Sequence, residues 1–137
     1  MSDQAETPKF PTAATLNSAD TFTGSAWVSL LVDPKNPTDC SLGYVTFEPG
    51  ARNNWHSHPA GQLLIATAGA GYYQEKGQPA QLLRAGEAVS IGPGVVHWHG
   101  ATKTSLFAHY AINPNVSQGI ADWGTPVTDE EYQTAHA

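Results

Sequence analysis

From Phe22 onward the chain alternates short apolar runs with polar breaks that carry glycine or proline. The runs read AWVSLLV, SLGYVTFE, QLLIATAG, GYYQE, AQLLR, AVSIG, VVHWH and SLFAHYAI. DPKNPTD, EPGA, EKGQP, RAGE and GPG fall between them. The runs are short and heavy in Val, Ile, Leu, Thr and aromatic residues, and none shows a sustained helical period. Such runs at regular spacing predict an antiparallel sandwich or barrel. The one stretch with helical character is TDEEYQTA, residues 128–135. There Thr128 stands three residues before Glu131, the spacing of a capping box, which predicts a short terminal helix. Residues 1–20 show little periodicity and carry Pro8 and Pro11. They are expected to form an N-terminal arm or a loosely attached strand, with residues 21–137 as a single domain.

Charge narrows the function. Of 137 residues only six are Lys or Arg, they are scattered, and the net charge is −6. Nucleic-acid binding needs clustered cations to displace counterions, so it is excluded as an expectation. No apolar run reaches the roughly 20 residues that span a bilayer. The polar, acidic N-terminus has no secretory pattern. One cysteine, Cys40, allows no intrachain disulfide, which fits a reducing compartment. Cys40 also lacks the neighbouring base that a nucleophile needs. A cytoplasmic protein acting on a small molecule is the expectation. Glu48 and Arg52 are expected at the surface. Trp27, Trp55, Trp98 and Trp123 are expected to serve packing.

The histidines carry the chemistry. Five of the six fall in the predicted strands: His56 and His58 in NNWHSHPAGQ, His97 and His99 in GVVHWHG, and His109 in SLFAHYAI. Residues i and i+2 of a strand share a face, so each pair projects together. Neutral imidazole is the commonest protein ligand for metals. Two such pairs in a small domain poor in charge point to a metal site.

The spacing Gly50, His56, His58, Gln62, Gly69 resembles the first conserved motif of the cupin superfamily, with glutamine in place of its glutamate. Gly86 through Pro93 and Gly94 to His97 resembles the second, although Pro93 stands one place late and Ala101 replaces the usual asparagine. The resemblance implies an all-β fold, a cupin jelly-roll β-barrel with a short C-terminal helix. It also implies a divalent metal held by His56, His58, Gln62 and His97. Manganese is the first expectation, with iron, zinc or nickel as alternatives. Gly50 and Gly69 are expected to end strands at turns, and Gly92 and Gly94 to allow a bend before His97.

The stretches VTFEPGARNNWHSHPAGQLLIATAGAGY, HWHGA and ADWGTPVTDEEY are similar to the small bacterial manganese-dependent cupins that act as (R)-selective hydroxynitrile lyases. That resemblance implies cleavage or formation of cyanohydrins. His109, or else His99, would be the base, and Gly43 and Val45 would line the pocket. Leu64 and Phe107 are further pocket candidates. With three imidazoles and an amide oxygen as ligands, no ligand charge offsets the cation, which strengthens it as a Lewis acid and argues against oxygen activation. A metal-dependent oxygenase and a non-catalytic small-molecule binder remain the alternative readings. Small cupins commonly dimerise through their sheets, so a homodimer or higher homo-oligomer is expected.

Overall fold

A computed structural model describes residues 15–16 and 19–137. Most of the N-terminal arm, residues 1–14 and 17–18, lies outside the described residues. The strands are β1 (Thr15–Leu16), β2 (Phe22–Thr23), β3 (Ala26–Val32), β4 (Ser41–Phe47), β5 (Arg52–Asn53), β6 (His56–Ser57), β7 (Gln62–Glu75), β8 (Gln81–Arg84), β9 (Ala88–Ile91), β10 (His97–Ala101), β11 (Phe107–Asn113) and β12 (Asp122–Trp123). A single 3-10 turn, Val116–Gln118, and one helix, α1 (Asp129–Ala135), complete the described chain.

All pairings are antiparallel, and the sheet curls on itself as a jelly roll. One half runs β1-β3-β4-β11-β7, and the other runs β7-β10-β5-β2. The expected jelly-roll fold is therefore present. Strand β7 belongs to both halves. Its first residues pair with β9 and β11, and its last residues pair with β8 and β10. QLLIATAG and GYYQE are thus one strand instead of two.

The joint is Gly69, and here the expectation of a strand end is corrected. Gly69 lies inside β7 with φ +70°. A Cβ there would stand 1.7 Å from Leu106 O, so only glycine lets the strand pass from one half to the other beside the 102–106 turn.

Side chains alternate as a pleat requires. Along β7, Gln62, Leu64 and Ala66 are buried while Leu63 and Ile65 are exposed. The inward residues build a core of Ala26, Phe47, Leu64, Ala66, Tyr73, Leu83, Ile91 and Phe107. A second cluster, Trp55, Trp98, Val127 and Tyr132, lies beneath α1.

The helix begins where the spacing predicted. Thr128 Oγ1 accepts from Glu131 N–H at 3.1 Å, and Glu131 Oε1 accepts from Thr128 N–H at 2.9 Å. Arg52 is the residue that departs from expectation. It is buried, not at the surface: its guanidinium donates to Val127 O at 3.0 Å and pairs with Asp129 at 2.8 Å. It also lies 4.4 Å above the Tyr132 ring. Arg52 thereby ties α1 to β5, the strand that leads to the histidines. Glu48 is exposed as expected and accepts from Trp27 Nε1.

Candidate metal centre and cavity

Two strand segments meet to form the site. His56 of β6 and His97 of β10 are partners in antiparallel register, so the pairing itself brings their rings to 4.3 Å between centroids. His58 follows two residues after His56, its ring 5.0 Å from His56 and 5.6 Å from His97. Gln62 opens β7 from the same side. All four side chains are buried.

Each imidazole has one nitrogen committed. His56 Nδ1–H donates to Asn54 O at 2.8 Å, His58 Nδ1–H to Ile120 O at 2.6 Å, and His97 Nδ1–H to Val95 O at 2.9 Å. A carbonyl only accepts, so these bonds place the proton on Nδ1 and the lone pair on Nε2. Gln62 Nε2 donates to Asn113 Oδ1 at 3.0 Å. The atoms left over, His58 Nε2, His97 Nε2 and Gln62 Oε1, are buried without a hydrogen-bond partner among the described residues. Orphaned buried acceptors are rare unless something else satisfies them. A cation would, and outward bonds of this kind from ligand histidines are what metal sites use to fix the tautomer.

Burial lowers the pKa of each ring. His97 is pushed down to about 4, chiefly by loss of hydration. His56 lies well below its ordinary value through burial and the proximity of His97, and His58 is lowered mainly by burial. All three are neutral near pH 7, the state a metal requires.

His99 lies beside this group. The ligating nitrogens of His56, His97 and His99 fall within 4.8 Å of one another, so these three could hold a metal ion. Two possible sets therefore share His56 and His97. Hydrogen bonding separates them. Asn53 Nδ2 lies 3.2 Å from the ring nitrogens of His99, and His109 Nε2 lies 3.0 Å from its Nδ1. The His99 ring is already engaged, whereas His58 and Gln62 each leave an acceptor orphaned. Asn53 is itself oriented, since its Oδ1 accepts the His99 backbone N–H at 2.9 Å. Its amide thus meets the ring as a donor and favours a neutral imidazole. Burial holds His99 well below its usual pKa, with His109 the next cause, and holds His109 at about 4.

These groups open onto a cavity of about 250 Å³. His56, His58, Gln62, His99 and His109 form its polar end. Phe22, Val28, Leu30, Val45, Ile120 and Trp123 form most of its apolar wall.

The middle of the chain, residues 43–111, matches the family model described as the Cupin domain. The chain is a cupin. It is 43% identical over 115 residues, 84% of its own length and 88% of the relative's, to an (R)-mandelonitrile lyase from Granulicella tundricola. A cupin-like protein from Thermotoga maritima is 48% identical, with a TM-score of 0.87 over 88% of this chain and 92% of that one. A polyketide cyclase from Streptomyces resistomycificus, 12% identical, gives a TM-score of 0.71 over 97% and 94% of the two chains and shares the fold alone.

In this cupin Gly43 and Val45 lie on the cavity wall. Leu64 and Phe107, the other two pocket candidates, are instead fully buried in the core cluster. Trp123 does more than pack: it stacks on His56 at 4.6 Å, half exposed at the cavity wall. Asn53, Asn113, Ile120 and Phe22 are wall residues that sequence reasoning missed. Asn113 was within reach, because Phe107, His109, Ala111 and Asn113 share one parity along β11. The segment holding Ile120 and Trp123 carries little periodicity, so its pattern gave no sign that it lines the cavity.

Proposed function

We propose that this cupin is a metal-dependent lyase that cleaves or forms cyanohydrins. The observation that carries the reading is the set of orphaned buried acceptors on His58, Gln62 and His97, of which His58 and Gln62, together with His56, stand at the polar end of a largely apolar cavity. His56, His58, Gln62 and His97 would hold a divalent ion, manganese by preference. All four donors are neutral, so the ion when bound would supply undiminished Lewis acidity toward a hydroxyl oxygen. The relative whose name is mandelonitrile lyase supports the choice of substrate class.

The chain's own residues divide the remaining work. His109, neutral because it is buried, accepts the hydroxyl proton, and His99 at 3.0 Å shares the positive charge that results. The electron pair of that O–H bond becomes the second C–O bond of the carbonyl. The C–C bond to the nitrile breaks, and cyanide leaves with its electrons. The apolar wall of Phe22, Val28, Leu30 and Trp123 binds the organic substituent and excludes water.

The experiment is His109→Ala. Turnover of mandelonitrile should fall about 10²- to 10⁴-fold, the usual worth of a positioned base, while metal content stays that of the parent. Full turnover in the variant would remove His109 from the base role. Equal rates in anaerobic and aerated buffer are expected, since no oxidant enters the reaction.

As part of the same proposal the protein is cytoplasmic, which suits its lone cysteine, and self-associates. Among the described residues no helix is long and apolar enough to cross a membrane. Trp27, Leu31, Leu63, Ile65 and Tyr110 are exposed apolar side chains of one half of the sheet. Tyr110 is in register with both Ile65 and Tyr44, so the three share the outer face. A patch of this kind supports contact between copies of the chain.

A further inference from the structure

The Gln62 side chain raises a problem that its neighbour Asn113 answers. A carboxamide has two nearly isosteric orientations, one turning an acceptor to a given point and the other a donor. Toward a cation only the oxygen is useful. The NH₂ group has no lone pair to give and carries partial positive charge. Nothing within the Gln62 side chain chooses between the two.

We propose that Asn113 is a positioning residue that makes the choice. Asn113 Oδ1 accepts from Gln62 Nε2 at 3.0 Å, which leaves Gln62 Oε1 buried and orphaned, with the Gln62 side chain next to His58. If Gln62 alone flipped, two amide oxygens would face each other across that distance. Asn113 is held in turn, because its Nδ2 donates to Ser41 Oγ at 3.2 Å. Three strands carry this chain of bonds. Ser41 and Asn113 are cross-strand partners on β4 and β11, and Gln62 begins β7. Gln62 and Ser41 are 5% and 4% exposed, so protein partners and not bulk solvent meet both bonds. The chain therefore sets which face of an uncharged ligand meets the metal. The inference rests on the ligand role proposed for Gln62 and not on the lyase reaction.

The test is manganese affinity of the full chain, measured by titration of metal-free protein, for the parent, Asn113→Leu and Asn113→Asp. Asn113→Leu removes the acceptor and should weaken binding about 10- to 100-fold, the usual effect of losing a group that orients a ligand. Asn113→Asp keeps the shape and accepts from the same NH₂ group, so it should bind at least about as tightly as the parent. A residue serving packing alone would not separate the two variants in that order. A second readout needs no metal. The Gln62 side-chain NH₂ protons should be protected from hydrogen exchange in the metal-free parent and in Asn113→Asp, and lose that protection in Asn113→Leu. Parent-like affinity and protection in Asn113→Leu would overturn the inference, as would equal weakening in both variants. Absence of manganese binding by the parent itself would overturn the ligand role of Gln62 and this inference with it. Binding without cyanohydrin cleavage would overturn only the lyase reading.

Discussion

At the scale of single residues, what decides the site is which atoms are left without partners. A histidine with both nitrogens bonded, as His99 is, has no lone pair free for a metal. One with Nδ1–H on a carbonyl and Nε2 buried and orphaned is poised for something else. His58→Ala would delete one such acceptor, and we expect loss of at least tenfold in manganese affinity with the fold retained, as read by titration and circular dichroism. The histidine pairs were legible because i, i+2 spacing fixes a common face. Depth was not legible. Leu64 and Phe107 have the inward parity that a pocket residue needs, yet both are packed into the core. Phe107 sits in register with Phe47 and Gly69 at the closed end of the barrel, while Ser41, Gln62 and Asn113 sit at the open end. Parity along a strand gives the face, and only the assembled barrel gives the distance from the mouth.

At the scale of elements, β7 and α1 show how far local signals reach. The capping box at Thr128 was readable because it is a local hydrogen-bond pattern. We expect Thr128→Ala to destabilise the protein by about 1 kcal/mol in denaturant unfolding. The break read into β7 at Gly69 was not a break, because glycine marks both strand ends and points where a strand must bend past another backbone. Gly69 and Gly77 make the contrast testable. Both have positive φ, +70° and +82°. A Cβ at Gly77 meets nothing within 4 Å, while one at Gly69 would overlap Leu106 O. Gly77→Ala should lose roughly 1–2 kcal/mol from backbone conformation alone. Gly69→Ala should lose distinctly more, since the sheet must move to admit it. Equal losses would mean that β7 can shift past the 102–106 turn without difficulty. Arg52 was misread because charge argues for the surface. Its place beneath α1 depends on Val127, Asp129 and Tyr132, some 75 residues away in sequence.

At the scale of the whole molecule, burying neutral histidines makes the metal-free protein sensitive to acid. His97 and His109 are both lowered by burial to about 4 from an ordinary value near 6.5. Between those pH values the unfolded chain binds protons that the folded chain refuses. Stability is therefore unaffected by these two groups above about pH 6.5 and falls as pH drops toward 4, by up to about 1.4 kcal/mol per pH unit for each. Urea midpoints measured on metal-free protein across that range should decline accordingly, and a flat profile would contradict the burial of these rings. The outer sheet face belongs to the same scale. Ile65→Asp should shift the protein toward monomer in sedimentation if copies meet there. Strand and turn spacing made an antiparallel sandwich or barrel legible, and the cupin motifs chose the jelly-roll barrel between them. The segment of residues 119–124, which folds over the histidines and supplies Ile120 and Trp123, was not, because its position follows from contacts and not from its own pattern.

The most direct test of the central claim is benzaldehyde release from mandelonitrile by one preparation in three states: as purified, stripped by chelator, and reloaded with Mn²⁺. The metal-dependent lyase account predicts cleavage that disappears on stripping and returns on reloading. Cleavage that persists at full rate in the stripped protein would contradict it, and so would a reloaded protein that holds manganese and releases no benzaldehyde.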